Sequence, residues 1–456
     1  MLISYFTPKR LIALVFLLAI VPASPAWSQF GGFGFSRGVV GGVKVDAEGV
    51  VRDASVEERG DQLRQLREAI KSASGEMAKK SSMRMISLKK LQEEIQKSVN
   101  ENKPLSEEVL FLAGLQRVEY VFAYPDQRDI VLAGPAEDWV VRDDSSVVGK
   151  QSGLPVLRLE DLIVALRTTD AAQRDVISVS IEPTAEGQVR VQQLLSKVNG
   201  NGFNPEAAAP AIKEAFGAQL VKLSTVPTDS RMAQTLVAAD YQMKRLAMNL
   251  ESSPVSGLPS YMEMVKNSTN LKGGQPRWWI AANYESITHS ADKMAWKIQG
   301  SPIKALSEDQ HLTQSGQRIG TGAANPIAQK WANLFTEKYD QLSKMNAVFG
   351  DLRNAIDLNV VAAIIRSQNM QEEVGCKLDL LCGTKSESLP TPQWKIPKTL
   401  DPQCSFIHGR AGWVISASGG VEINPWKIVA QSAKSDESVK ATYIKANGNS
   451  ANWWWN

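Results

Sequence analysis

Three cysteines stand near one end of the sequence, Cys376, Cys382 and Cys404, with His408 four residues past the last. Thiols in that arrangement can form a disulfide or, with the imidazole, hold zinc. The gaps between successive cysteines, five residues and then twenty-one, depart from the short-knuckle zinc pattern, so no metal is assigned. The local pair Cys376–Cys382 is the expected bridge in an oxidising compartment, leaving Cys404 buried, free or paired with another chain.

Acids cluster around one hairpin: Glu119, Asp126, Asp129, Glu137 and Asp138. A glycosidase needs two carboxyl groups roughly 5 to 9.5 Å apart, and this cluster could supply them; solvated loop acids are the plainer reading. Ser87-x-x-Lys90 and Ser301-x-x-Lys304 match the serine–lysine spacing of penicillin-recognising enzymes, but the companion K-T-G is missing. The nucleophile elbow, the P-loop, G-x-G-x-x-G and H-E-x-x-H are absent as well. His289, His311 and His408 lie too far apart for helical metal-ligand spacing. The residues therefore lean away from an enzyme, and no cofactor is expected.

The tryptophans offer a binding chemistry instead. Trp278 and Trp279 are adjacent in a strand-like run, so their side chains take opposite faces. One indole can enter the core while the other faces solvent, a second domain or a ligand such as a sugar or peptide. Trp453, Trp454 and Trp455 close the sequence, and exposed indoles ask for a surface: their own protein, a partner or a membrane interface.

What positions these groups begins with an export signal. Lys9-Arg10, an apolar run over 11–21 and the small-x-small end Ala26-Trp27-Ser28 form the three parts of a signal peptide over 1–28. The run is too short to span a bilayer, which takes roughly 20 residues. An exported, soluble protein in periplasm, cell surface or medium is expected, with no transmembrane segment after cleavage. Charge supports no polyanion partner: 51 Lys and Arg stand against 48 Asp and Glu, and losing Lys9 and Arg10 leaves +1. Nucleic acid is thereby excluded as an expected partner.

The length of 456 residues exceeds one ordinary core, so two to three domains are expected. A Gly/Phe-rich leader occupies 29–42. An α+β domain over 43–270 starts with two short strands around Asp46-Ala-Glu48-Gly49, then a polar helical region over 56–98. The middle alternates: a strand at 176–181, a helix capped by Thr184, a helix over 205–216 ending at Gly217, a strand at 219–223 and a long helix opened by Ser230. A smaller α+β region, 271–370, holds strands near 277–282 and 294–299 and helices over 326–339 and 348–367. The last of these carries Phe349, Leu352, Ile356, Val360 and Ile364 on one stripe. The rest, 371–456, reads as a loop-rich, disulfide-bearing tail.

Residues 112–139, with their paired strand-like runs Val118 to Tyr124 and Ile130 to Ala133, are joined by 177–187 and by Ala239-Asp-Tyr-Gln-Met-Lys244 in one further respect. In wording they resemble an uncharacterised family of secreted planctomycete-type proteins, a domain of unknown function, over roughly 42–368. The resemblance implies export and an α+β fold, and it assigns no catalytic residue.

The expected protein is thus α+β, a mixed sheet with packed helices. Its expected role is that of a non-catalytic envelope component binding a protein or glycan; the alternative is a secreted hydrolase using a carboxylate pair.

Overall fold

The computed structural model describes, in its main body, residues 66–197, 205–266, 275–313, 317–383, 396–402 and 418–447. It also describes the short pieces 39–40, 43–45, 51–53, 63–64, 407–409, 412–414 and 454–455, and the single residues 315 and 394. The expected signal peptide, most of the Gly/Phe leader, the Asp46–Gly49 turn, Trp453 and Cys404 lie outside the described residues.

The principal elements, in chain order, start with β1 (Ser81–Ser87), α1 (Leu88–Asn100), β2 (Tyr120–Tyr124) and β3 (Asp129–Ala136). Next come α2 (Leu159–Arg174), β4 (Ile177–Glu182), α3 (Ala185–Ser196), α4 (Pro205–Phe216), β5 (Gln219–Ser224), α5 (Arg231–Ala247) and α6 (Tyr261–Lys266). Then follow β6 (Gln275–Ala282), β7 (Ser286–His289), β8 (Ala295–Gln299), β9 (Ile303–Leu312), β10 (Arg318–Gly320), α7 (Pro326–Met345) and α8 (Ala347–Ser367). The chain finishes with β11 (Thr399–Leu400), β12 (Ser418–Ile423), α9 (Pro425–Ser432), β13 (Ala433–Ser435) and α10 (Glu437–Asn447).

Two mixed sheets with packed helices make the molecule α+β. A seven-stranded sheet runs β10-β9-β6-β12-β4-β5-β11, and a six-stranded sheet runs β13-β7-β8-β2-β3-β1. The segments before and after residue 270 meet inside the first sheet. The last part of the chain also enters both sheets, as β11 and β12 in one and β13 in the other. It is joined to the body by indole hydrogen bonds: Trp426 Nε1 donates to Thr169 O at 2.8 Å, and Trp394 Nε1 to Glu160 at 2.9 Å. One buried apolar cluster runs from Leu66 to Val429.

Local chemistry sets the helix starts. Thr184 accepts from Gly187 N at 3.0 Å and Ser230 from Ala233 N at 3.1 Å, and Pro326 follows the capping Asn325. Ser87 accepts from Lys90 N at 3.0 Å, so the first serine–lysine match is the N-cap of α1. A second acceptor supports it, since Lys89 N donates to the Asp129 carboxylate at 3.2 Å.

Two expectations need correction. The region 56–98 is not helical throughout: β1 lies inside it and pairs antiparallel with β3. Arg84 sits in that strand with its guanidinium buried, donating to the carbonyls of Met77, Ala113 and Lys79, which satisfies a charge that reads as surface-helical. The expected Cys376–Cys382 bridge is also not formed; both thiols are free. Each sulfur faces its own neighbours: Cys376 the backbone of Ile130, Cys382 the Gln371 amide at 3.9 Å and Arg167.

Helix α8 is the axis of the packing. It is buried at every position from 347 to 365, on all sides rather than along one stripe. Such a helix can carry polar residues only if each finds a partner. Arg353 donates to Gln116 O and Asn354 to Pro155 O, both at 2.9 Å, and Asp357 accepts from Tyr284 Oη at 2.8 Å. No helix among the described residues is long and apolar enough to cross a membrane.

Candidate functional site

Alternation along β6 separates the two adjacent tryptophans. Trp278 points inward, 1% exposed, with Nε1 donating to Ala328 O at 3.1 Å. Its ring meets Tyr261 and Trp331 edge-on, centroids 4.8 and 5.2 Å away. Trp279 and Arg277 emerge half-buried on the opposite face of the seven-stranded sheet. The strand register sets Leu306 of β9 on one side of Trp279 and Gly420 of β12 on the other. Arg277 lies over the Trp279 ring, its guanidinium carbon 5.2 Å from the centroid, a stacking that fixes a long side chain.

A second guanidinium approaches on this face. Arg318 of β10 is held by the side-chain oxygen of Gln188 on α3, its Nε at 3.1 Å and Nη2 at 2.7 Å. Burial lowers its pKa to about 10; Glu182 works against that effect and the neighbouring charge of Arg277 adds to it. The nearby acids are engaged elsewhere. Glu182 pairs with Lys222 at 2.9 Å, and Glu308, opposite Arg277, accepts from Gly322 N at 2.8 Å. The face therefore combines an indole, two arginines, and small or polar residues at Gly420 and Ser180.

The remaining expected residues fall apart in space. Trp454 and Trp455 cover the edge strand β1: Ser87 N donates to Trp454 O at 2.8 Å and Ile86 bridges to Trp455. The Arg84 guanidinium lies 5.3 Å from the Trp455 ring. Three of the hairpin acids, Asp129, Glu137 and Asp138, hold backbone N–H groups. Glu119 and Asp126 flank opposite ends of β2, and Asp129 and Glu137 bracket β3, about 25 Å apart at roughly 3.3 Å per residue. Glu137 accepts from Ser152 N at 2.8 Å and Gln116 Nε2 at 2.7 Å; Asp138 accepts from Ala73 N at 2.9 Å. These carboxylates hold backbone turns.

Sequence reasoning missed the buried charges. Arg231, at the start of α5, meets Asp161, lies 2.7 Å from Asp351 and 3.9 Å from Glu160. Burial opposes its charge, but the three acids outweigh it and raise its pKa. Burial raises Glu160 to about 7, with Asp161 adding to the effect. Further along α5, Asp240 accepts from Ile181 N at 3.0 Å and Lys244 donates to Ile181 O at 2.7 Å. N–H and C=O of one extended residue share an edge. The pair thus takes the place of a ladder partner between β4 and β12. A Cβ at Gly419 would come within 3.1 Å of Asp240 Oδ1 and 2.4 Å of Trp278 O, so this crowded rung needs glycine. The one readable signal was Ala239-Asp-Tyr-Gln-Met-Lys244, an i,i+4 acid–base pair in a helix whose other residues are mostly apolar.

The architecture and the arginine-lined sheet face define an α+β protein with one half-open face. The family described as "Protein of unknown function (DUF1598)" matches residues 179–261, from Val179 in β4 through α5 to Tyr261 in α6. A domain of that family is present in the chain, in line with the resemblance noted at 177–187 and 239–244. No curated protein and no solved structure matches the chain.

Proposed function

We propose that this protein is an exported, non-catalytic envelope component that binds a glycan or a protein on the outer face of its seven-stranded sheet. The observation that carries the reading is the division of labour at β6. Trp278 is sealed in the core, whereas its neighbour Trp279 stays half-exposed beside Gly420 with Arg277 stacked on it. An aromatic kept partly open and framed by donors suits recognition of sugars or extended peptides. The leader sequence supports export, and the near-neutral charge agrees with a partner other than nucleic acid. Against the hydrolase alternative, Asp129, Glu137 and Asp138 of the hairpin are engaged with backbone N–H groups.

The test is crosslinking of the tagged protein in its native envelope, with wild type and Trp279→Ala compared. A stoichiometric glycan or protein that co-purifies with wild type and is depleted at least tenfold with the variant supports the reading. A chain recovered alone, or an equal yield from both, overturns it. Thermal unfolding keeps the comparison fair: Trp279→Ala is expected to cost about 1 kcal/mol, whereas Trp278→Ala costs about 3–5 kcal/mol.

A further inference from the structure

We infer that the contact between Trp394 and Glu160 is a pH-operated clasp. It holds the last part of the chain to the body while Glu160 carries a proton, and it lets go when Glu160 ionises. The charge count carries the inference. Glu160 and Asp161 of α2 face Arg231 at the start of α5, Asp351 of α8 faces the same guanidinium, and Arg158, just ahead of α2, is the second cation. Two cations thus stand against three acids in one buried cluster, which is neutral only while one carboxyl holds a proton. Geometry names the holder. Asp161 touches Arg231 and Asp351 lies 2.7 Å from it, whereas Glu160 stands back at 3.9 Å. Glu160 is also the nearest of the three to solvent, its side chain 13% exposed against 3% for Asp161 and 7% for Asp351. Burial and the charge of Asp161 raise its pKa to about 7, which agrees with that assignment.

Trp394 is buried against this carboxyl, 4% exposed. Its Nε1 donates to Glu160 Oε2 at 2.9 Å, and its backbone N donates to Asp229 O at 2.7 Å. An ionised carboxylate takes several donors, and the indole supplies one. Arg231 is engaged by Asp161 and Asp351, and the Arg158 guanidinium lies over the Phe111 ring, 4.6 Å from its centroid. Water supplies the rest by displacing the indole. The consequence lies just downstream. Ile396 packs on the main apolar cluster, Lys398 O accepts from Val221 N at 3.0 Å, and β11 pairs with β5 through Leu400–Gln219 and Thr399–Leu220. This two-residue strand closes one end of the seven-stranded sheet. So short a strand depends on its anchors, and without Trp394 the edge of β5 opens to pairing with another strand. The clasp turns a rise in pH into an open sheet edge.

The experiment is acrylamide quenching of tryptophan fluorescence in the full chain, followed from about pH 5.5 to about pH 8.5 for wild type, Trp394→Phe and Glu160→Gln. Subtracting the Trp394→Phe signal from the wild-type signal isolates one indole among twelve. Quenching of that difference should rise at least twofold through a single transition near pH 7, with circular dichroism unchanged. Trp394→Phe should show no transition. Glu160→Gln, neutral at every pH and still an acceptor, should stay at the acid-side value. A flat wild-type profile, quenching that falls as pH rises, or a transition that persists in Trp394→Phe overturns the inference. The same transition in folded Glu160→Gln overturns it as well. Loss of circular dichroism in step with the quenching also overturns it, because the whole chain is then opening. Should Glu160→Gln fail to fold, the wild-type and Trp394→Phe profiles alone decide.

Discussion

Arg231 and Asp351 face each other across the interior, Nη2 to carboxylate oxygen 2.7 Å, with each side chain only 7% exposed. The contact ties the start of α5 to the first turns of α8, the fully buried helix. Asp161 and Glu160 of α2 complete the ring around the same guanidinium. Three helices thus share one cation.

Removing that cation leaves three buried acids with Arg158 as the remaining neighbouring cation. Arg231→Gln should cost about 3–5 kcal/mol, the usual penalty for stranding a buried charge. Urea unfolding at pH 8 measures it directly. A loss under about 1 kcal/mol would mean that water reaches the acids and the ring is not a fastening.

Glu160 gives the protein a pH dependence whose sign follows from its shift. Its folded pKa, raised to about 7 by burial and by Asp161, lies above the unfolded value of about 4.3. Between those limits the native chain holds a proton that the unfolded chain releases. Stability from this group therefore declines as pH rises from about 4.3 to about 7 and is level beyond. Glu160→Gln should flatten the decline while keeping an acceptor for the Trp394 indole. Identical slopes of unfolding midpoint against pH for the two proteins would rule this out.

The terminal indoles protect an edge. Strand β1 ends the six-stranded sheet, and Trp454 and Trp455 lie along it through one backbone hydrogen bond and one bridge. A chain truncated after residue 453 should expose Ile86 and Ser87 to pairing with another copy. Light scattering at increasing concentration should reveal self-association that wild type lacks. A strictly monomeric truncation would show that the edge needs no cover.

The thiols should be slow to react. Burial pushes Cys376 up to about 12 and Cys382 up to about 11, which leaves little thiolate at pH 8. Iodoacetamide should label neither residue in the native protein and both after denaturation. A peptide linking Cys376 to Cys382 under non-reducing digestion would reinstate the bridge.

Much of the local structure was legible because its causes are local. The helix Pro205–Phe216, the caps Thr184 and Ser230, and the buried helix near 348–367 follow from cap residues, glycine stops and apolar spacing. Strand β1 was hidden because its neighbours carry a helical pattern and its Arg84 reads as a surface charge. Its true setting depends on carbonyls supplied by residues 77, 79 and 113.

The outer-face site was half visible. Alternation in β6 requires Trp278 and Trp279 to part, yet it does not say which one is buried. Helices α5, α6 and α7 decide that by packing on one face, where Ala328 O and the rings of Tyr261 and Trp331 receive Trp278. Arg277 and Arg318 are 41 positions apart in the sequence, and strand order sets them on β6 and β10 of one sheet, with Gln188 of α3 meeting the second.

The sequence alone determined the leader pattern, the charge balance, the α+β class and most helix limits, since composition and short-range spacing suffice for each. The tertiary structure decided which cysteines stay apart, which acids hold backbone, where the buried cations sit and which tryptophan remains open. Those outcomes depend on contacts between residues tens to hundreds of positions apart. Such contacts are set by sheet order and helix packing, which no local window of sequence encodes.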